Sequence, residues 1–190
     1  MIMENQKKSI LVITVLIIIA ALSRLLPHAP NFTPVGATAL FGAAYFTKKY
    51  WAILIPLAAL WASDLILNNV VYAQYYEGFA WMTTGFLWII GAFALIAILG
   101  MVVLKNKVNP INLLGTSFAA SGIFFLITNF GVWMSGLTYP KTMEGLIACY
   151  TAAVPFFWNT LAGDLFYVAV LFGAYEFVKS YTNQTIAVER

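Results

Sequence analysis

The sequence predicts an all-α, polytopic membrane protein with six transmembrane helices and both termini in the cytoplasm. Three observations predict it: composition, the length of the apolar runs, and the placement of charge. The 190 residues are 62% hydrophobic and only 9% charged, against roughly a quarter charged in soluble domains, so the chain cannot cover itself with a water-compatible surface. Apolar runs mark spans at about 10–26, 35–46, 50–67, 79–104, 110–134 and 156–178. Six crossings of about 20 residues nearly exhaust the length, which predicts a single integral domain over 1–190. Basic residues fall in alternate gaps between these runs: Lys7 and Lys8, Lys48 and Lys49, Lys105 and Lys107, then Lys179 and Arg190. Cytoplasmic loops retain Lys and Arg, so eight of the ten basic residues lie inside and only Arg24 and Lys141 outside.

The first run follows two lysines and contains Ala21-Leu22-Ser23, so a cleaved signal peptide is its competing reading. The stretch from Pro27 through His28, Pro30, Asn31 and Phe32 to Pro34 is punctuated by prolines that bias their predecessors away from αR, and it reads as a structured outer loop. The 35–46 run is short for a span unless Pro34 starts it or the preceding loop dips into the protein. Its Gly36, Ala39, Gly42 and Ala43 recur at helical spacing and permit close approach of a neighbour. The third span tolerates Pro56, and 68–78 is a polar, tyrosine-rich outer connection. The fourth span starts at Phe79. The fifth is interrupted by Gly115, Gly122 and Gly131, and the segment 145–153 forms a short helix before Pro155 opens the sixth. No internal repeat or low-complexity tract stands out.

Ionisable groups inside lipid each raise the insertion free energy by roughly 2.5 to 3.5 kcal/mol, so each needs a partner or a purpose. Arg24 and Asp64 both lie about 21 Å along inside-to-outside helices, counting 1.5 Å per residue, which predicts an ion pair in the outer third of the membrane. The alternative has Arg24 snorkelling to the headgroups and Asp64 capping a helix end beside Asn68. Asp164 falls near the midplane. Either it is protonated and bonded to a neighbour such as Tyr167, or it handles substrate or protons.

Asn129, Trp133 and Asn159 map to the outer third with Trp61, Trp81 and Trp158. Amides and indoles converging there suit a flat, hydrogen-bonding solute that arrives from outside, while aromatic belts and helix-to-helix hydrogen bonds are the structural alternative. The expected binding residues are Arg24, Asn31, Asp64, Asn129, Trp133, Trp158 and Asn159, with Trp133 and Trp158 as pocket walls. Catalysis is not expected: no phosphate loop, H-E-x-x-H or G-x-S-x-G occurs. His28 reads as a loop residue. One histidine and Cys149 alone offer no metal cluster or disulfide, so neither a metal nor a cofactor is expected, and the net charge of +3 reflects membrane anchoring rather than nucleic-acid binding.

The stretch Ser23-Arg24-Leu25-Leu26-Pro27-His28-Ala29-Pro30-Asn31-Phe32-Thr33-Pro34-Val35-Gly36, with Pro56-Leu57 and Trp61-Ala62-Ser63-Asp64-Leu65, resembles an uncharacterised family of small bacterial membrane proteins. Thr128-Asn129-Phe130-Gly131-Val132-Trp133 and Val154-Pro155-Phe156-Phe157-Trp158-Asn159-Thr160 extend the resemblance to nearly the whole chain. That family is similar to the substrate-binding S components of energy-coupling factor vitamin transporters. The resemblance implies an outward pocket beneath a lid, here residues 27–33, for a vitamin-like micronutrient. It also implies a separate membrane coupling subunit with two ATPases. One departure argues against that coupling: Ile10 to Ile19 is Ile, Leu and Val with one Thr, lacking the small-residue stripe through which S components meet the coupling subunit. The expected function is therefore micronutrient capture in the bacterial cytoplasmic membrane, the alternative a non-transporting subunit that scaffolds an envelope complex.

Overall fold

The computed structural model describes residues 2–105 and 107–188, with side chains from 8 to 181 apart from Asn106. Arg190 and the side chain of Lys7, two of the charges that order the topology, lie outside the described residues. Six α-helices follow one another, α1 (Ile2–Ser23), α2 (Val35–Tyr45), α3 (Lys49–Ile66), α4 (Phe86–Val103), α5 (Pro110–Ser135) and α6 (Met143–Val188), and no strand occurs among the described residues. Four helical stretches are long and apolar enough to cross a membrane: Lys49–Val71, Phe86–Val103, Pro110–Ser135 and Met143–Tyr181. The apolar parts of the other two, Lys8–Ser23 and Val35–Tyr45, are shorter.

The shortest helix organises the rest. α2 spans 11 residues, about 16 Å at 1.5 Å per residue, roughly half the hydrocarbon thickness. Every residue from Val35 to Ala43 is buried, as expected of a helix that is apolar all round. α1, α3, α4, α5 and α6 form a closed ring of neighbours in that order, and α2 touches all five. The small residues Ala37, Ala39 and Ala43 let the ring close tightly, while Leu40 and Phe41 fill the centre with no exposed surface. Toward the C-terminal end of α2, Phe41 packs edge-on against Tyr45, Phe172 and Tyr175, and Ser9 shares a 2.5 Å hydrogen bond with Tyr175 that joins α1 to α6.

Several expected boundaries move. α4 begins at Phe86 rather than Phe79, because residues 79–85 are an irregular segment that ends in Gly85 at φ 82. That left-handed residue favours glycine and starts the helix abruptly. α1 ends at Ser23, so Arg24 sits in the turn beyond it, its N–H bonded to Ala21 O. α3 continues through one π-helical turn, Leu67–Val71, before a 3₁₀ turn at Ala73–Tyr75. α5 runs unbroken through its glycines. The expected short helix and break at Pro155 are absent, since α6 is one helix of 46 residues with Pro155 inside it. Membrane helices absorb a proline because neighbouring groups can re-satisfy the freed carbonyl. At about 69 Å, α6 exceeds any hydrocarbon core and projects beyond it.

Candidate functional site

The end of the bundle that carries the α1–α2, α3–α4 and α5–α6 connections holds two polar assemblies on opposite sides of α2. On the α1–α3 side, Arg24 Nη1 lies 2.6 Å from Asp64 Oδ1, with the side chains only 13% and 8% exposed. The expected ion pair is therefore present. The same guanidinium nitrogen donates to Ser63 Oγ at 2.6 Å. A directed chain reaches the other carboxylate oxygen: Tyr76 OH donates to Asn68 Oδ1, Asn68 Nδ2 to Thr83 Oγ1, and Thr83 Oγ1 to Asp64 Oδ2. Asn69 exchanges two hydrogen bonds with the Ala80 backbone, and Trp61 Nε1 donates to Trp81 O. Arg24 and Asp64 thus clamp α1 to α3 and to the segment between α3 and α4, with both carboxylate oxygens engaged.

On the α5–α6 side lies the proline-rich loop that joins α1 to α2. Phe32 N–H donates to Ala29 O at 3.0 Å, closing a turn with Pro30 and Asn31 at its centre. Asn31 has φ 64, a left-handed conformation that Asn tolerates better than most residues. One face of α6 seats the loop at three levels. Asn159 Nδ2 donates to Pro30 O at 2.9 Å. Gly163 meets the Thr33 backbone so closely that a Cβ there would lie 2.8 Å from its nitrogen. The Phe32 ring packs 5.7 Å from Phe166 and 6.0 Å from Tyr167.

Asp164, one residue beyond Gly163, is 1% exposed and reaches the first turn of α2. Its Oδ1 accepts from Ala37 N–H at 3.0 Å and its Oδ2 from Ser121 Oγ at 2.7 Å. Pro34 at the N-cap supplies no side-chain cap, so α6 provides in trans the acceptor that α2 lacks. A Cβ on Gly36 would sit 2.6 Å from both carboxylate oxygens; only glycine leaves room for this cap. Tyr167, the partner expected for Asp164, bonds Ser23 instead at 2.7 Å.

Beneath the loop, between α5 and α6, lies a cavity of about 40 Å³. Phe124, Phe125 and Thr128 of α5 face Phe156, Phe157 and Thr160 of α6 across it. Asn129 and Ala153 complete its sides and Asn31 its loop-side edge. The two triplets are the same motif, Phe-Phe-x-x-Thr, carried once by each antiparallel helix. In both copies the threonine hydroxyl donates to the carbonyl of the first phenylalanine, Thr128 to Phe124 O at 2.7 Å and Thr160 to Phe156 O at 3.0 Å. The duplicated motif is legible in the sequence, yet at five residues it is far shorter than a span and does not stand out as an internal repeat. Asn129 Nδ2 donates to Phe125 O at 2.8 Å.

The structure divides the expected binding set. Asn31 and Asn129 line the cavity. Asn159 holds the loop rather than the cavity, and Arg24 and Asp64 belong to the opposite clamp. Trp133 donates Nε1 to Pro140 O and Thr142 O, pinning the α5–α6 connection, and Trp158 is 60% exposed on the outside of the bundle. Neither tryptophan is a wall of this cavity, because equal depth on a helix leaves its azimuth undetermined.

Residues 4–185 match DUF6580, a family of unknown function. The chain belongs to this family. No curated protein and no solved structure matches it. Within this DUF6580 chain, the loop latch, the α2 cap and the cavity all draw on the stretch Ala153 to Tyr167 of α6.

Proposed function

We propose that this DUF6580 protein is a non-catalytic, membrane-embedded binding protein that captures a small micronutrient solute from the outer side of the bacterial cytoplasmic membrane. In this reading all six helices lie in the bilayer, both termini are cytoplasmic, and the loop over residues 27–33 is an outward lid. The observation that carries it is the cavity under that loop, where two copies of Phe-Phe-x-x-Thr and two asparagines gather polar atoms within an aromatic lining. The resemblance to vitamin-binding S components drawn from the motifs in the sequence is part of the same reading. At about 40 Å³ the cavity holds only a water-sized group, well below the roughly 300 Å³ of a drug-sized pocket. A vitamin-sized solute is accommodated by releasing Asn159 from Pro30 and swinging the lid away from Phe166.

The test is mass spectrometry of small molecules released from the purified protein. A solute enriched with the wild type and depleted from Asn129→Leu supports the reading, and a wild type that releases nothing above control overturns it. The scaffold reading is favoured by a different feature, an apolar groove of about 350 Å³ between α1 and α3, floored by Ala58, Ala59 and Ala62. Filling it by Ala59→Leu dissolves an assembly under that reading and leaves solute retention unaltered under the first.

A further inference from the structure

We infer that the cavity between the two Phe-Phe-x-x-Thr segments takes the primary ammonium group of a small amine. The inference rests on the reading that this cavity binds a solute, and it names the chemistry of the group that enters first.

The unused hydrogen-bonding capacity of the lining selects the occupant. A hydroxyl has one proton and two lone pairs, and a carbonyl can only accept. Thr128 and Thr160 each lie against a carbonyl, Phe124 O and Phe156 O, so both protons are committed and only lone pairs remain for an occupant. The same logic orients Asn129: its Nδ2 must be the atom on Phe125 O, which leaves Oδ1 as a further acceptor. Three acceptors from two helices therefore belong to residues that line one small space, together with a single remaining N–H of Asn129 and the amide of Asn31, which can donate or accept.

The rest of the lining is four phenylalanines and Ala153, and the faces of aromatic rings attract cations. No Lys or Arg lines the cavity, so nothing there neutralises an anion, and a carboxylate or phosphate would meet lone pairs and aromatic quadrupoles. No Asp or Glu lines it either, which disfavours a strongly hydrated metal ion that needs anionic ligands. A primary ammonium matches on each count. It carries three N–H donors for three acceptors, it is close to water in size, and the cavity of about 40 Å³ admits one such group. Asn31 at the lid edge is exposed, so the remainder of the amine extends toward the outer surface past that residue.

Methylammonium is the probe. Full-length protein in lipid nanodiscs is melted while tryptophan fluorescence is followed, in methylammonium chloride, tetramethylammonium chloride and potassium chloride at matched ionic strength. The expected result is a saturable rise in melting temperature with methylammonium alone, and a Kd weakened about tenfold by Thr128→Val or Thr160→Val, each of which deletes one acceptor at nearly constant volume. Thr128→Ser and Thr160→Ser keep the lone pairs and are expected to retain binding, which separates a lost contact from a damaged fold. An equal shift with potassium or tetramethylammonium overturns the inference, as does binding that survives both valine changes. A neutral or anionic solute recovered by mass spectrometry, with no methylammonium effect, overturns this inference and leaves solute binding intact. Recovery of no solute and no shift with any salt overturns both.

Discussion

Removing the carboxylate of Asp164 tests whether α6 caps α2. Asp164→Ala strands two donors, Ala37 N–H and Ser121 Oγ–H, in a site that is 1% exposed. Each stranded donor destabilises by roughly 1 to 3 kcal/mol, and a lost acceptor at a helix N-terminus adds up to about 1 kcal/mol. Relief of carboxyl burial offsets part of this, so the expected net loss is roughly 3 to 5 kcal/mol. Asp164→Asn keeps an oxygen toward Ala37, and the Ser121 hydroxyl can turn to accept from the new amide, so the expected loss is about 1 kcal/mol. Unfolding of the purified variants in mixed micelles, followed by circular dichroism against rising detergent denaturant, measures both. Gly36→Ala is expected to resemble Asp164→Ala, since its Cβ would displace the same carboxylate. The capping account fails if Asn is as damaging as Ala, because then the charge or proton matters rather than the acceptor. It fails equally if Ala costs under about 1 kcal/mol.

The Arg24–Asp64 pair is expected to behave as a buried unit: either Arg24→Met or Asp64→Leu alone destabilises by roughly 3 to 5 kcal/mol, and the double change by much less. Additive losses in that double-mutant cycle would contradict a direct contact. Asn159→Ala removes one hydrogen bond between α6 and the 27–33 loop, worth about 0.5 to 1.5 kcal/mol, so a thiol placed in that loop should react roughly 2 to 12 times faster while the melting temperature stays close to wild type. Reporter fusions after Tyr76 and Lys141 are expected to report outside, and after Lys48 and Lys105 inside. One inverted reporter would break the alternation of charge on which the orientation rests.

Local signals in the sequence carried much of the fold. Lys48 and Lys49 mark the α2–α3 connection and Lys105 and Lys107 the α4–α5 connection, because charge has few places to reside in a chain that is 9% charged. The expected span at 110–134 begins where α5 begins, and the structure shows why: Asn109 Oδ1 caps the helix by accepting from Asn112 N–H at 2.9 Å, with Pro110 at its first position. Hydropathy alone misread residues 79–85, whose aromatic side chains look like a span while the backbone is irregular. The small residues of α2 announced close packing, but its place as the hub of a five-helix ring depends on pairings that no local pattern encodes. Depth arithmetic brought Arg24 to Asp64, since opposite charges at one level in lipid have few other partners. The same arithmetic failed for Trp133 and Trp158, which share the level but turn elsewhere. The partner of Asp164 was hidden because it is a backbone N–H 127 residues away.

The central claim is a solute cavity under an outward lid, and the thiol reactivity of Asn31→Cys at the cavity edge tests it most directly. Intact cells that express this variant are treated with a membrane-impermeant maleimide, with and without the small molecules released from the purified protein, and wild type with its buried Cys149 serves as the blank. The account predicts labelling without permeabilisation and a lower rate when those molecules are present. Labelling that requires permeabilised cells, or a rate that the released molecules leave unchanged, would contradict it.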